Sequence, residues 1–153
     1  MPPKTPIHVA FDRFGRDAGM ELHSRAWFLR TEEVIVTCDL QKSQYSPLYY
    51  LNVGYYLRSE GSETHPKSHQ CHITYRAGKL IGRERAFDRL LDLEHPLDDE
   101  TRSIQLYSLL TTELAPRIQR GGTIDGLRAM LADGSITHHY LRGPAQAVLL
   151  ANT

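Results

Sequence analysis

The sequence predicts a single α+β domain: an N-terminal helix, an antiparallel meander of about four strands, and C-terminal helices packed on one sheet face. Three observations predict it. Residues 34–57 alternate apolar and polar side chains with a period of two, while the segments before and after the strands space apolar residues three and four apart. The strands are contiguous in the chain, so neighbours pair without crossovers. No repeat or low-complexity tract interrupts this order, and 153 residues suffice for one core.

Each element follows from local signals. Ile7, Phe11, Phe14 and Ala18 recur at helical spacing behind Pro6, and Gly19 ends the run, which predicts a helix over 6–18 with residues 1–5 disordered. The segment HSRAWFL, 23–29, reads as a first strand, followed by a charged turn at 30–33. A second strand over 34–41 sets Val34, Val36, Cys38 and Leu40 against Ile35, Thr37, Asp39 and Gln41. After the turn-prone KSQYSP, with Pro47 at the strand entrance, a third strand over 49–57 does the same with Tyr49, Leu51, Val53, Tyr55 and Leu57. The polar run RSEGSETHPKS reads as a surface loop. A fourth strand, QCHITYR, places Cys71, Ile73 and Tyr75 on one face and Gln70, His72, Thr74 and Arg76 on the other.

The remainder is helical. Ala77 and Gly78 suggest a turn, with room for a short strand over 79–81, before a helix over 83–92 that carries Phe87, Leu90 and Leu91. Asp98 or Asp99 can cap a long helix whose stripe of Ile104, Tyr107, Thr111, Leu114 and Ile118 faces the core, kinked or restarted at Pro116. Gly121 and Gly122 end it, Thr123 caps a helix containing Ile124, Leu127, Met130 and Leu131, and Gly134 closes that one. Pro144 opens a last short helix to Leu150.

Composition narrows the function. Eighteen Lys plus Arg balance eighteen Asp plus Glu, so the chain has no basic footprint for nucleic acid and no acidic excess for mimicking it. No run approaches the length of a membrane span, and MPPKTPIHVAFDRFG lacks the pattern of a signal peptide, so a cytoplasmic protein is expected. With no net charge to oppose self-association, a homodimer is compatible with the sequence. Cys38 and Cys71 read as small buried hydrophobes, and no cofactor motif is present.

The apolar parity set, Val36, Cys38, Leu51, Val53, Cys71 and Ile73, belongs against the helices. The opposite set, Thr37, Asp39, Gln41, Tyr50, Asn52, Tyr56, Gln70, His72 and Arg76, belongs outward, with Tyr50 and Tyr56 as an exposed aromatic pair. Asn is disfavoured within strands, so Asn52 in the middle of one calls for a reason, and with Gln41 it offers paired amide donors and acceptors. Asp39 is expected to pair with Arg76 or Arg25 across the strands. His65, His69, Cys71 and His72 are the most metal-like run, but Cys71 and His72 on one strand would face opposite ways, so no metal site is expected. His72, Asp39 and Ser43 contain the ingredients of a hydrolase or transferase, but Ser43 lacks the G-x-S-x-G elbow. Residues 83–89, and His138 with His139, read as solvated surface.

QKSQYSPLYYLNVGYYL, preceded by the Trp-bearing strand and followed by CHITYR and a helical C-terminal third, resembles the bacterial family called domain of unknown function 4304. In that family a strand ending in Gln, then Ser, leads into Tyr, Tyr, small apolar, Asn, apolar, Gly. Here those positions are Gln41, Ser43, Tyr49, Tyr50, Asn52, Val53 and Gly54, and the similarity spans roughly residues 7–150. The resemblance implies an α+β fold, brings no catalytic residues, and admits a toxin-immunity role of the kind ascribed to some small bacterial domains. The sequence therefore points to a non-enzymatic binding module for a partner protein or small ligand, using Gln41, Ser43, Tyr50, Asn52, His72 and Arg76.

Overall fold

Thr5 starts the first helix, its hydroxyl accepting the His8 amide at 3.2 Å while Pro6 fills the first turn, where no amide donor is needed. In the computed structural model, which describes residues 4–150, α1 runs Pro6–Asp17 and buries Ile7, Ala10, Phe11, Phe14 and Gly15. Gly15 lets the helix lie on the Trp27 indole, whose atoms a β-carbon there would meet at 2.1 Å. Thr5 is the cap of this helix, and Lys4 pairs with Asp12 at 2.7 Å. Residues 1–3 lie outside the described residues.

Among the described residues five antiparallel strands follow in chain order: β1 Glu21–His23, β2 Ala26–Arg30, β3 Val34–Lys42, β4 Tyr49–Leu57 and β5 Ile73–Arg76. The single strand expected over 23–29 is thus a hairpin. Its two turn residues, Ser24 and Arg25, both take positive φ, 48° and 69°, without the Asn-Gly that usually announces such a turn. The central register pairs Asp39 with Asn52 and Gln41 with Tyr50 on β3 and β4, and Asn52 with Arg76 on β4 and β5.

One face of this sheet carries the main core, where Trp27, Val34, Val36, Cys38, Leu51, Val53, Tyr55, Leu57, Ile73 and Tyr75 meet the helices. Residues 77–81 form a helix, α2 Ala77–Ile81, in place of the turn and short strand expected there, because Ala77, Gly78, Leu80 and Ile81 are all buried. Then come α3 Glu84–Leu90, α4 Asp99–Leu109, a π-helical turn at Leu110–Leu114, α5 Ala115–Arg120, α6 Ile124–Ala132 and α7 Gly143–Leu150. Asp98 caps α4 by accepting the Thr101 amide at 2.8 Å, and Thr123 caps α6 by accepting the Gly126 amide at 2.9 Å. Pro116, which cannot donate to the carbonyl of Thr112, stands two residues after the π turn, so the helix passes it by widening.

The core stripe of this long helix differs from the expected one. Arg102, Leu106, Leu110, Leu114 and Ile118 are buried, whereas Ile104 is 59 % exposed. A strict spacing of four drifts around an ordinary helix, and the extra residue in the π turn takes up part of that drift.

The other sheet face is divided. Residues 58–72 fold back over its β1-to-β3 end and enclose a second cluster of Phe28, Ile35, Tyr56 and Cys71. Thr37 is fully buried there, with its hydroxyl donating to the Pro66 carbonyl at 3.0 Å, and Tyr56 accepts the Glu63 amide at 3.1 Å. Three expectations are corrected here. Thr37 and Tyr56 are not outward, and Cys71 joins this second cluster instead of the main core, because residues 68–70 form a tight turn and β5 begins only at Ile73.

Candidate functional site

Where the covering segment stops, the remaining sheet face presents Asp39, Gln41, Tyr50, Asn52 and Arg76. Asn52 is the hub. Only 8 % exposed, its side-chain amide donates to Asp39 Oδ1 at 2.9 Å and Gln41 Oε1 at 3.2 Å, and its carbonyl accepts from Arg76 Nη1 at 2.9 Å. Cross-strand register makes this possible, since Asn52 sits directly opposite Asp39 on one side and Arg76 on the other. A buried amide with three partners explains an Asn in mid-strand: each of these polar groups would be desolvated and unpaired without its bond.

Arg76 is held from two directions. Nη1 also lies 3.4 Å from Gln41 Oε1, and the guanidinium carbon stands 4.1 Å above the Tyr50 ring, a cation–π contact. The cross-strand ion pair expected of Asp39 is replaced by this relay, with Asn52 between the carboxylate and Arg76. Among the described residues no carboxylate lies within ion-pair distance of Arg76.

The patch opens into a groove of about 420 Å³ at the end of β4. Leu48, Phe87 and Leu91 give it an apolar floor, Arg76 and Tyr50 form the sheet-side rim, and Tyr140 closes one wall by stacking on Tyr75 at 4.2 Å between ring centroids. Lys79 and Glu84 at the rim pair with each other at 3.9 Å. Sequence reasoning did not find Leu48, Phe87 or Tyr140 as part of this surface. Tyr140 reaches it because Leu141 bridges to Ile73 and Arg142 donates to the His72 carbonyl, a tertiary docking that no local motif announces.

Two of the residues expected at the site stand apart. Ser43 lies in the β3–β4 hairpin, where its hydroxyl accepts the Tyr45 amide at 3.2 Å and its own amide closes the loop on Leu48. Beside it Tyr45 is 93 % exposed at the tip. His72 is at the far end of the face, its amide bonded to the Tyr55 carbonyl and its Nδ1 accepting the Leu57 amide at 2.9 Å. Four residues of strand separate the Asn52 and Tyr56 positions, about 13 Å. His72 and Asp39 are therefore not brought within proton-transfer reach of each other.

Titration properties agree with this division of labour. Burial lowers the pKa of His72 and keeps its ring in the neutral form that can accept from Leu57, and burial likewise lowers that of His8. Burial raises the Cys38 thiol and pushes Cys71 up to about 12, so neither is a nucleophile at neutral pH. The histidines of the metal-like run diverge: His65 stacks on His23 at 3.9 Å, while His72 faces Tyr56 at 4.7 Å. Among the described residues no three His, Cys, Asp or Glu side chains converge as a metal would require, and no helix is long and apolar enough to cross a membrane.

No curated protein and no solved structure matches this chain. A family model does, over residues 16–120, from the last turn of α1 to the end of α5. That span contains all five strands, the covering segment, and the Gln41, Tyr50, Asn52 and Arg76 cluster; α6, α7 and Tyr140 fall beyond it. A match over more than half the chain settles the relationship, and the protein belongs to the family described as a domain of unknown function (DUF4304).

Proposed function

We propose that the protein is a non-enzymatic binding module whose recognition surface is the uncovered half of the sheet face. Gln41, Tyr50, Asn52 and Arg76 form its centre and the Leu48–Phe87–Leu91 groove its apolar extension. The observation that supports this reading best is the Asn52 hub. A buried amide that fixes an exposed Gln and an exposed Arg removes their rotational freedom in advance, which reduces the entropy lost when they engage a ligand. Tyr and Arg beside a concave apolar patch are also the residue types that dominate binding energy at interfaces. Hydrolysis or group transfer through His72 and Asp39 has no comparable support, because the two lie at opposite ends of the face.

A thermal-shift screen against metals, nucleotides and small metabolites, joined to affinity capture for protein partners, detects binding by its effect on apparent stability. The double variant Gln41→Ala with Asn52→Ala is expected to keep its far-UV circular dichroism and to bind roughly tenfold or more weakly. An unchanged affinity for the identified ligand or partner removes this reading.

A further inference from the structure

We propose that the groove beside Arg76 takes a carboxylate with an apolar body, an aryl or medium-chain alkyl acid, and this deepens the binding reading given above. Three features point to that class. Arg76 is the one groove-lining cation without a carboxylate at ion-pair distance among the described residues, since Lys79 is paired with Glu84. Both of its side-chain hydrogen bonds leave from Nη1, to Asn52 and Gln41, and the Tyr50 ring fixes the plane of the guanidinium. A fork held in one plane with its charge uncompensated matches the planar, two-oxygen geometry of a carboxylate. Beyond Arg76 the lining turns apolar at Leu48, Phe87 and Leu91, and about 420 Å³ falls in the range of small-ligand pockets.

The lining charges are divided between the two walls. Glu84 pairs with Lys79 at 3.9 Å, and Asp88, the other acidic lining residue, is exposed on the α3 wall. Asp39 is bonded by Asn52 and is not among the residues that line the groove. Arg76 is thus the charge that the sheet side of the groove offers a ligand.

Titration calorimetry of the full chain with phenylbutyrate, phenylbutyramide and phenylbutylamine tests the class directly. The acid is expected to bind, and the amide and the amine to bind roughly tenfold or more weakly, because each loses a charge-assisted pair of hydrogen bonds. Arg76→Gln should weaken acid binding by a similar factor, and Arg76→Lys should restore only part of it, which separates the fork geometry from bare charge. The melting temperatures of both unliganded variants, expected to stay near that of the parent, report whether the fold is intact. Equal binding of amide or amine, no response to the acid, or an Arg76→Gln variant that binds the acid as well as the parent overturns the carboxylate assignment. The Gln41 and Asn52 test above is read with a ligand of any chemistry, so it stands or falls separately.

Discussion

Arg102 is the residue whose role its sequence neighbours hide most completely. It occupies a core position of α4, 1 % exposed, and its guanidinium spans the carbonyls of Arg89 and Leu90 at 2.9 Å and of His95 at 2.6 Å. The first two belong to the last turn of α3, where the helix dipole adds to the attraction. Arg102→Ala is expected to destabilise the protein by about 3 kcal/mol or more, from three desolvated carbonyls and the volume removed, and Arg102→Lys to recover little of it. Urea unfolding of both variants checks this. The sequence concealed the role because an Arg is ordinarily placed on a solvated face, which is why the expected stripe ran through Ile104 instead. Asn52 shows the converse: an ill-suited residue in mid-strand was legible as a signal, because strand geometry gives no reason for it unless the side chain is bonded.

The strand register was legible at the scale of the element, since a period of two leaves one solution in which Val36, Cys38, Leu51 and Val53 are buried together. What folds over the opposite face was not. Residues 58–72 are polar, with three Ser and three His, and their burial of Tyr56 depends on contacts made across the sheet. Gly54 records the fit: a β-carbon there would meet Cys71 Sγ at 2.5 Å, so the glycine of the Tyr-Tyr-x-Asn-x-Gly motif is where the segment lies against β4. Gly54→Ala is expected to destabilise the fold by about 1–3 kcal/mol through this overlap. Cys71→Gly removes both the sulfur and the Cβ, which would lie 2.8 Å away, so the double variant should be more stable than the sum of the two single changes predicts, by roughly 0.5–2 kcal/mol in a thermal-unfolding cycle. Strict additivity would show that the strain lies elsewhere.

For the molecule as a whole, the order of helix, strands and helices could be read from the chain, while the joining of distant segments could not: Tyr140 against Tyr75 and Arg142 against His72 close the sheet edge from the far end of the sequence. Global stability should register the two depressed histidines. His72 and His8 bind protons less readily when folded, so the unfolded chain takes up more protons as the pH falls below about 6.5, and stability declines through that window toward their lowered folded values. Urea midpoints measured from about pH 8 down to about pH 5 are expected to fall, and His72→Gln, which keeps an acceptor for Leu57 without a titrating ring, to flatten the decline. An acid limb of unchanged slope in His72→Gln would assign the loss to other groups.

The segment over residues 58–72 also sets a boundary. Its last contacts on the sheet, Thr74 donating to the Ser68 carbonyl at 2.8 Å and Cys71 against Gly54, fall two residues short of Asn52 and Arg76. The size of the open face is therefore a matter of chain length. A few residues more in this surface loop could extend the cover across Arg76 and shut the groove, and a few fewer would lay Tyr56 and Phe28 bare beside it. Loops tolerate such changes at small entropic expense, so the same sheet can present a wide, narrow or closed face without altering a single strand.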